Sequence, residues 1–275
     1  MRPLALLILS ALAAVAAETP APLRVLVVTG GCCHDYATQH QLIGKGLEAR
    51  ANVVVTHAHS PSKDTRVTFD IYRKQEWWKD FDVVVHDECA ADVTDKAYVE
   101  NILAAHKAGV PAVNLHCAMH SYRWGNYGQP VKPGADNAGW FEFLGLQSTG
   151  HGPQLPIAIT YVDSQHPVTR GLEGWTTIKE ELYNNVAILS GKPLAKGKQV
   201  VPQKDGKTRE VETVVAWTNL YGPKQTRVFS TTLGHNNETV GDARYLDLVT
   251  RGVLWSAGKL TDDGKPAPGY GPRAK

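Results

Sequence analysis

Residues 23–36 read LRVLVVTGGCCHDY. Positions 23–29 form a short, almost wholly apolar run, and Gly30-Gly31 stops it. A run of this length without polar alternation reads as a strand buried on both faces, as in parallel sheets covered by helices. Moving outward, residues 39–50 carry apolar side chains at helical spacing, and 52–56 (NVVVT) form a second strand. Residues 81–85 (FDVVV) form a third, ending in His86-Asp87-Glu88. Thr94 caps a helix with apolar residues three and four apart that stops at Gly109. Residues 110–115 (VPAVNL) are a fourth strand. Strand and helix therefore alternate through residue 125, the pattern of a doubly wound, mostly parallel α/β sheet with helices on both faces. The expected strand order is 2-1-3-4.

The pattern then loosens. Residues 125–139 are rich in Gly, Pro and Asn and read as loop, and 140–144 (WFEFL) as a short helix. Strands are expected at 156–161, 177–182, 212–218 and 226–232. Residues 191–209 are basic and turn-rich and read as a surface hairpin or insertion. An amphipathic helix over 240–255 closes the domain. No linker divides residues 23–257, which are read as one domain, and 258–275 as a loose C-terminal tail.

The composition agrees with a globular protein. The chain has 275 residues, 43% hydrophobic and 20% charged, which excludes a disordered segment. A formal net charge of +2 with no Lys/Arg stripe argues against nucleic-acid binding. Residues 1–17 (MRPLALLILSALAAVAA) have a basic start, an apolar stretch shorter than a membrane span, and small residues at the end. They read as a cleaved signal peptide, so the mature protein is expected to be exported, periplasmic or extracellular, with no membrane contact after cleavage. That compartment is oxidising. The four cysteines are Cys32, Cys33, Cys89 and Cys117. Neighbouring Cys32 and Cys33 are not expected to pair with each other; a bridge from either to Cys89 or Cys117 is open if the fold brings their loops together, and one to Cys89 if the loops after the first and third strands adjoin. The alternative is four small buried residues.

In open α/β sheets, ligands bind beyond the carboxyl ends of the strands. Here those ends carry His34 and Asp35, His86-Asp87-Glu88, His116-Cys117 with His120, and His235-Asn236, while Gly150-His151-Gly152 falls in a separate loop. Several imidazoles on one sheet edge suit metal binding or proton transfer near neutral pH. The strand–turn–helix at 113–121 is an elbow that projects one side chain, His116 or Cys117, into the cleft. His116 and His120, four apart, would share a helix face as a two-His metal pair does. His40, His57, His59 and His106 are placed inside helices or in the loop after the second strand, away from the site.

Taken together, VLVVTGGCCHDY, VVVHDEC, GVPAVNLHCAMH, WFEFLG with GHG, HPVTRGL, EELYNN and RVFSTTLGHNNET resemble the ThuA-like (trehalose-utilisation) proteins, a family of the class I glutamine amidotransferase-like superfamily. The resemblance implies a flavodoxin-like sheet and a link to catabolism of disaccharides and 3-keto-sugars. It implies site residues at His34, His116, His151, Glu181 and His235. The expectation is a carbohydrate-processing protein acting on a keto-sugar, keto-glycoside or disaccharide. A divalent metal, zinc or similar, would be held among His34, His116, His151 and His235. Glu181 or Asp87 would be the base or the group that orients a ligand His. Asp35, Trp124, Tyr183 and Asn236 would touch the substrate, and a sugar dehydrogenase is the expected functional partner. The alternatives are a non-catalytic sugar- or metal-binding protein and an amidohydrolase-like enzyme with Cys117 as nucleophile.

Overall fold

The computed structural model describes residues 20–273; the expected signal peptide lies outside them. The elements run β1 (Leu23–Gly31), α1 (Tyr36–Glu48), β2 (Val53–His59), β3 (Val83–Cys89), α2 (Lys96–Lys107) and β4 (Ala112–Leu115). Then follow α3 (Gly139–Leu144), β5 (Leu146–Gln147), β6 (His151–Tyr161), β7 (Trp175–Tyr183), β8 (Ala187–Ile188), β9 (Lys192–Pro202), β10 (Thr208–Tyr221), β11 (Thr226–Thr231), α4 (Asn237–Val240) and α5 (Ala243–Ser256).

The main sheet has nine strands in the order β2-β1-β3-β4-β11-β10-β9-β6-β7. The first five pair in parallel, and the order 2-1-3-4 is as expected. The remaining pairings, from β11 to β7, are antiparallel, so the sheet is mixed rather than mostly parallel. Residues 191–209 supply β9 and the start of β10 and are thus part of this sheet rather than an insertion outside it.

Helices cover both faces. Val25 and Val27 of β1 point into a core with Ile43 and Leu47 of α1 and Leu248 and Val249 of α5. Leu26 and Val28 point the other way, towards Ile102 and Leu103 of α2 and Trp140 and Phe141 of α3. Burial on both faces explains the uninterrupted apolar sequence of β1. The carboxylates of Asp35 and Asp95 cap α1 and α2 by accepting from the backbone N–H of Thr38 and Tyr98. Removing such a cap costs about 1 kcal/mol, so Asp95→Ala is expected to lower the urea midpoint by that equivalent with an unchanged slope.

The tail is tied down. The Asn52 backbone N–H donates to the Tyr270 carbonyl (3.1 Å), its amide donates to the Gly269 carbonyl (2.9 Å), and Arg273 donates to the Val53 carbonyl (2.7 Å). No helix among the described residues is long and apolar enough to cross a membrane.

Candidate functional site

The parallel strands deliver His34, Cys89, His116 and His235 at one edge. The antiparallel half curls back to meet them. Glu180 of β7 is buried, and its carboxylate accepts from the backbone N–H groups of His235 (3.0 Å) and Asn236 (3.2 Å). This clamp sets Glu181, the next residue, among the imidazoles. A cleft of about 420 Å³ opens over the group, lined by Cys32, Cys33, His34, Cys117, His120, Arg123, His151, Glu181 and Tyr183 among others.

His116 occupies the elbow after β4 with φ of 38°, a left-handed value rare for a side chain with a Cβ. It begins a short 3-10 turn, His116–His120, in which all five residues are buried. The Thr232 carbonyl can only accept, so His116 Nδ1 donates to it (2.7 Å). Its Nε2 faces the Tyr183 hydroxyl (3.2 Å) and Glu181 Oε2 (3.5 Å). His235 Nδ1 lies 3.3 Å from Glu181 Oε1, is buried, and has no aligned hydrogen-bond partner. Its Nε2 meets the amide of Gln154 at 2.9 Å. His151 donates from Nδ1 to the Gly152 carbonyl (2.8 Å) and turns Nε2 towards Glu181 Oε1 (3.6 Å). Three imidazoles thus surround one carboxylate.

Burial alone would raise the Glu181 carboxyl; the close approach of the His116 and His235 imidazoles outweighs it and holds the group well below the usual range. The Glu181 carboxylate in turn raises the His235 imidazole above its ordinary value, against burial. The signs fix a pH window for the metal-free protein. The lowered carboxyl contributes stability above its unfolded value, about 4.3, and loses it as pH falls through the folded value. The raised imidazole contributes below its unfolded value, about 6.5, and loses it as pH rises through the folded value. The urea midpoint is therefore expected to fall from pH 6 to pH 9 more in the wild type than in His235→Gln, measured with chelator present.

One ring nitrogen each of His116 and His235 and a Glu181 oxygen lie within 4.8 Å of one another. Two imidazole nitrogens and a carboxylate suit a divalent transition metal. His116 Nε2 and the unpartnered, buried His235 Nδ1 both face the carboxylate, where a proton or a cation must sit, so the donor set fits such an ion. With the Gln154 amide reversed, its oxygen would accept from His235 Nε2–H and leave Nδ1 free as a ligand.

His34 stays against the group, its ring centroid 4.7 Å from that of His116 and 4.8 Å from that of His235. It donates from Nδ1 to the His235 carbonyl (3.4 Å) and accepts at Nε2 from the Cys117 thiol (2.9 Å), so both its nitrogens are already engaged. The nearby Cys89 sulfur, then burial, push the Cys117 thiol well up. His120, in the 3-10 turn, meets the Ser148 hydroxyl (3.0 Å), and burial holds its imidazole well below the usual value. Asp87 is buried and does not line the cleft, and its carboxyl is pushed up by burial first, then by Cys117 and Glu88. Asp35 caps α1 and accepts from Asn237 (2.8 Å); Trp124 donates to Asp136 (3.0 Å); the Asn236 amide donates to the Lys179 carbonyl. None of these last three lines the cleft, whereas Tyr183 does and stacks on His120 at 4.1 Å.

Three readings of local structure change. His151 opens β6 rather than sitting in a loop, and His57 and His59 belong to β2. Cys32 and Cys33 do pair with each other, closing a disulfide across one peptide bond, while Cys89 and Cys117 are free. The left-handed φ of 84° at Cys33 accommodates that small ring. Sequence reasoning missed Gln154 and Glu180. Gln154 stands opposite Glu181 in the β6–β7 register, and extending the strand pattern of 156–161 two residues upstream would have found it.

The trehalose-utilisation (ThuA) family model matches residues 24–256. The chain belongs to the ThuA family. Two solved structures share the fold, both described as putative ThuA-like proteins. That from Parabacteroides merdae is 22% identical with a TM-score of 0.59, covering 92% of this chain and 98% of its own. That from Bacteroides uniformis is 17% identical with a TM-score of 0.59 and the same coverages. No curated protein matches the sequence significantly.

Proposed function

We propose that this ThuA-family chain is an exported enzyme that acts on a keto-glycoside, with the parallel half of its sheet as a flavodoxin-like, glutamine amidotransferase-like scaffold. The observation that carries the reading is the convergence of His116, His235 and His151 on the buried Glu181 beneath an open cleft. A second cavity of about 490 Å³ shares Gly150 and His151 with the cleft, which suits a ligand of two sugar units.

His116, His235 and Glu181 would hold a divalent cation, which when bound supplies Lewis-acid polarisation of a sugar carbonyl. A ketone acidifies the neighbouring C–H bond. His151 is the base: it is the most exposed imidazole of the group, and its Gly152 hydrogen bond leaves Nε2 free. Nε2 takes the proton, the C–H electron pair forms the new double bond, and the glycosidic C–O pair departs with the leaving sugar. The same imidazolium can return its proton to that oxygen. Glu181, held ionised, is a weak base, so its role is to anchor positive charge rather than to abstract a proton. Arg123, which lines the cleft and whose Nε has no partner, can donate to a sugar hydroxyl, and the buried Tyr183 ring, stacked with His120 and His151, positions those imidazoles. A sugar dehydrogenase would supply the ketone.

The test is product release from a 3-keto-glucoside and from its unoxidised parent, followed by chromatography. Turnover of the ketone alone is expected, falling about 10²- to 10⁴-fold in His151→Ala. Tight binding without product would sink the enzymatic reading and leave a sugar-binding protein. The reading with Cys117 as nucleophile has less support, because His116 takes the elbow position and the Cys117 thiol is held protonated.

A further inference from the structure

A third sulfur, a free thiol, lies beside the Cys32–Cys33 disulfide. Cys89, at the end of β3, is buried with its Sγ 3.2 Å from Cys32 Sγ. Cys32 carries no hydrogen, so the Cys89 thiol is the donor. All three sulfurs lie within 4.8 Å of one another. Their exposure is graded: Cys89 is buried, Cys32 half-buried and Cys33 exposed, and all three line the cleft. Register sets the proximity of the sulfurs, since Gly31 pairs with Cys89 across the β1–β3 ladder and Cys32 follows directly. From these placements we infer that Cys32, Cys33 and Cys89 form a thiol–disulfide exchange centre whose external substrate is a small-molecule disulfide.

The internal step needs no outside oxidant. The Cys89 thiol loses its proton to cleft water, and its sulfur attacks Cys32 Sγ. The Cys89–Cys32 bond forms, the Cys32–Cys33 bond breaks, and its electron pair leaves on Cys33, which is protonated by solvent. One disulfide and one thiol are present before and after, but the thiol has moved from the interior to the surface. Neighbouring Cys117 holds the Cys89 thiol below its ordinary value, against burial, which favours this attack. The exposed Cys33 thiolate then attacks a small disulfide R–S–S–R, giving Cys33–S–S–R and one thiolate R–S⁻. Opening the ring also frees Cys33 from its left-handed φ of 84°.

The probe is 5,5′-dithiobis(2-nitrobenzoate), added to the folded, unreduced protein. Both free thiols are buried, so a static structure would release almost no thionitrobenzoate. Exchange predicts release of about one equivalent, with the adduct on Cys33 and a Cys32–Cys89 bridge in the peptide map. Cys89→Ser is expected to abolish the release. Peptide mapping of the wild type alone decides the matter if that variant folds poorly. An adduct on Cys89 or Cys117 with Cys32–Cys33 intact would overturn the inference, as would undiminished release in Cys89→Ser. The readout is a thiol count, so it stands or falls separately from the carbohydrate reading.

Discussion

Glu181→Gln is expected to lower kcat/KM on the proposed keto-glycoside substrate by about 10²- to 10³-fold, the scale seen when one preorganised electrostatic group is removed from an active site. The substitution keeps shape and removes charge. Glu181 stands 3.3–3.6 Å from three imidazole nitrogens, and its burial makes that charge hard for solvent to replace. Two readouts should move together. Metal affinity should drop, and the His235 imidazole should return towards its ordinary value, visible in its NMR titration. Glu180→Gln is the contrasting variant. Its carboxylate holds the backbone at 235 and 236, so it should cost stability before it costs metal. If Glu181→Gln turns over substrate as the wild type does, the charge at that position has no part in the reaction.

Gly31→Ala should be the most damaging single-methyl change near the site. A Cβ there would sit 2.2 Å from the Cys89 carbonyl oxygen and 2.9 Å from its carbonyl carbon, at φ +98°. Both obstacles are backbone, so no side chain can rotate away. Left-handed strain and overpacking each cost about 1–3 kcal/mol, which gives a loss of about 2–6 kcal/mol. Gly134 separates the two contributions: its φ is +77°, and nothing lies within 4 Å of an added Cβ. Gly134→Ala should therefore lose only about 1–2 kcal/mol. Equal urea midpoints for the two variants would remove the clash from the account. Because Gly31 pairs with Cys89, relief of the clash would also part Cys32 from Cys89 and slow the sulfur exchange.

The two halves of the sheet differ in how openly the sequence encodes them. β1 and β3 are buried along nearly their whole length, and continuous apolar runs declare such strands. β6 and β9 are half-exposed, with polar residues breaking the pattern, and β9 is basic enough to read as surface. The curl that carries β7 to the end of β11 depends on Glu180 accepting two distant backbone N–H groups, a contact with no local signature. This is why His34, His116 and His235 were legible from strand ends while Glu181 rested on family resemblance and Gln154 was missed. Asp35 and Trp124 were drawn in by their place in the sequence, but a helix cap and an Asp136 contact occupy them. The Cys32–Cys33 bond was unexpected because adjacent residues pair only when the backbone takes an unusual φ, which no composition rule reveals.

The most direct test of the His116–His235–Glu181 centre is metal content by plasma mass spectrometry, on the purified protein beside a His116→Ala/His235→Ala double variant. The account predicts a near-stoichiometric divalent metal in the wild type and its loss from a variant that remains folded by circular dichroism. No metal in the wild type after dialysis against zinc, manganese or iron(II), or metal retained in the variant, would contradict it.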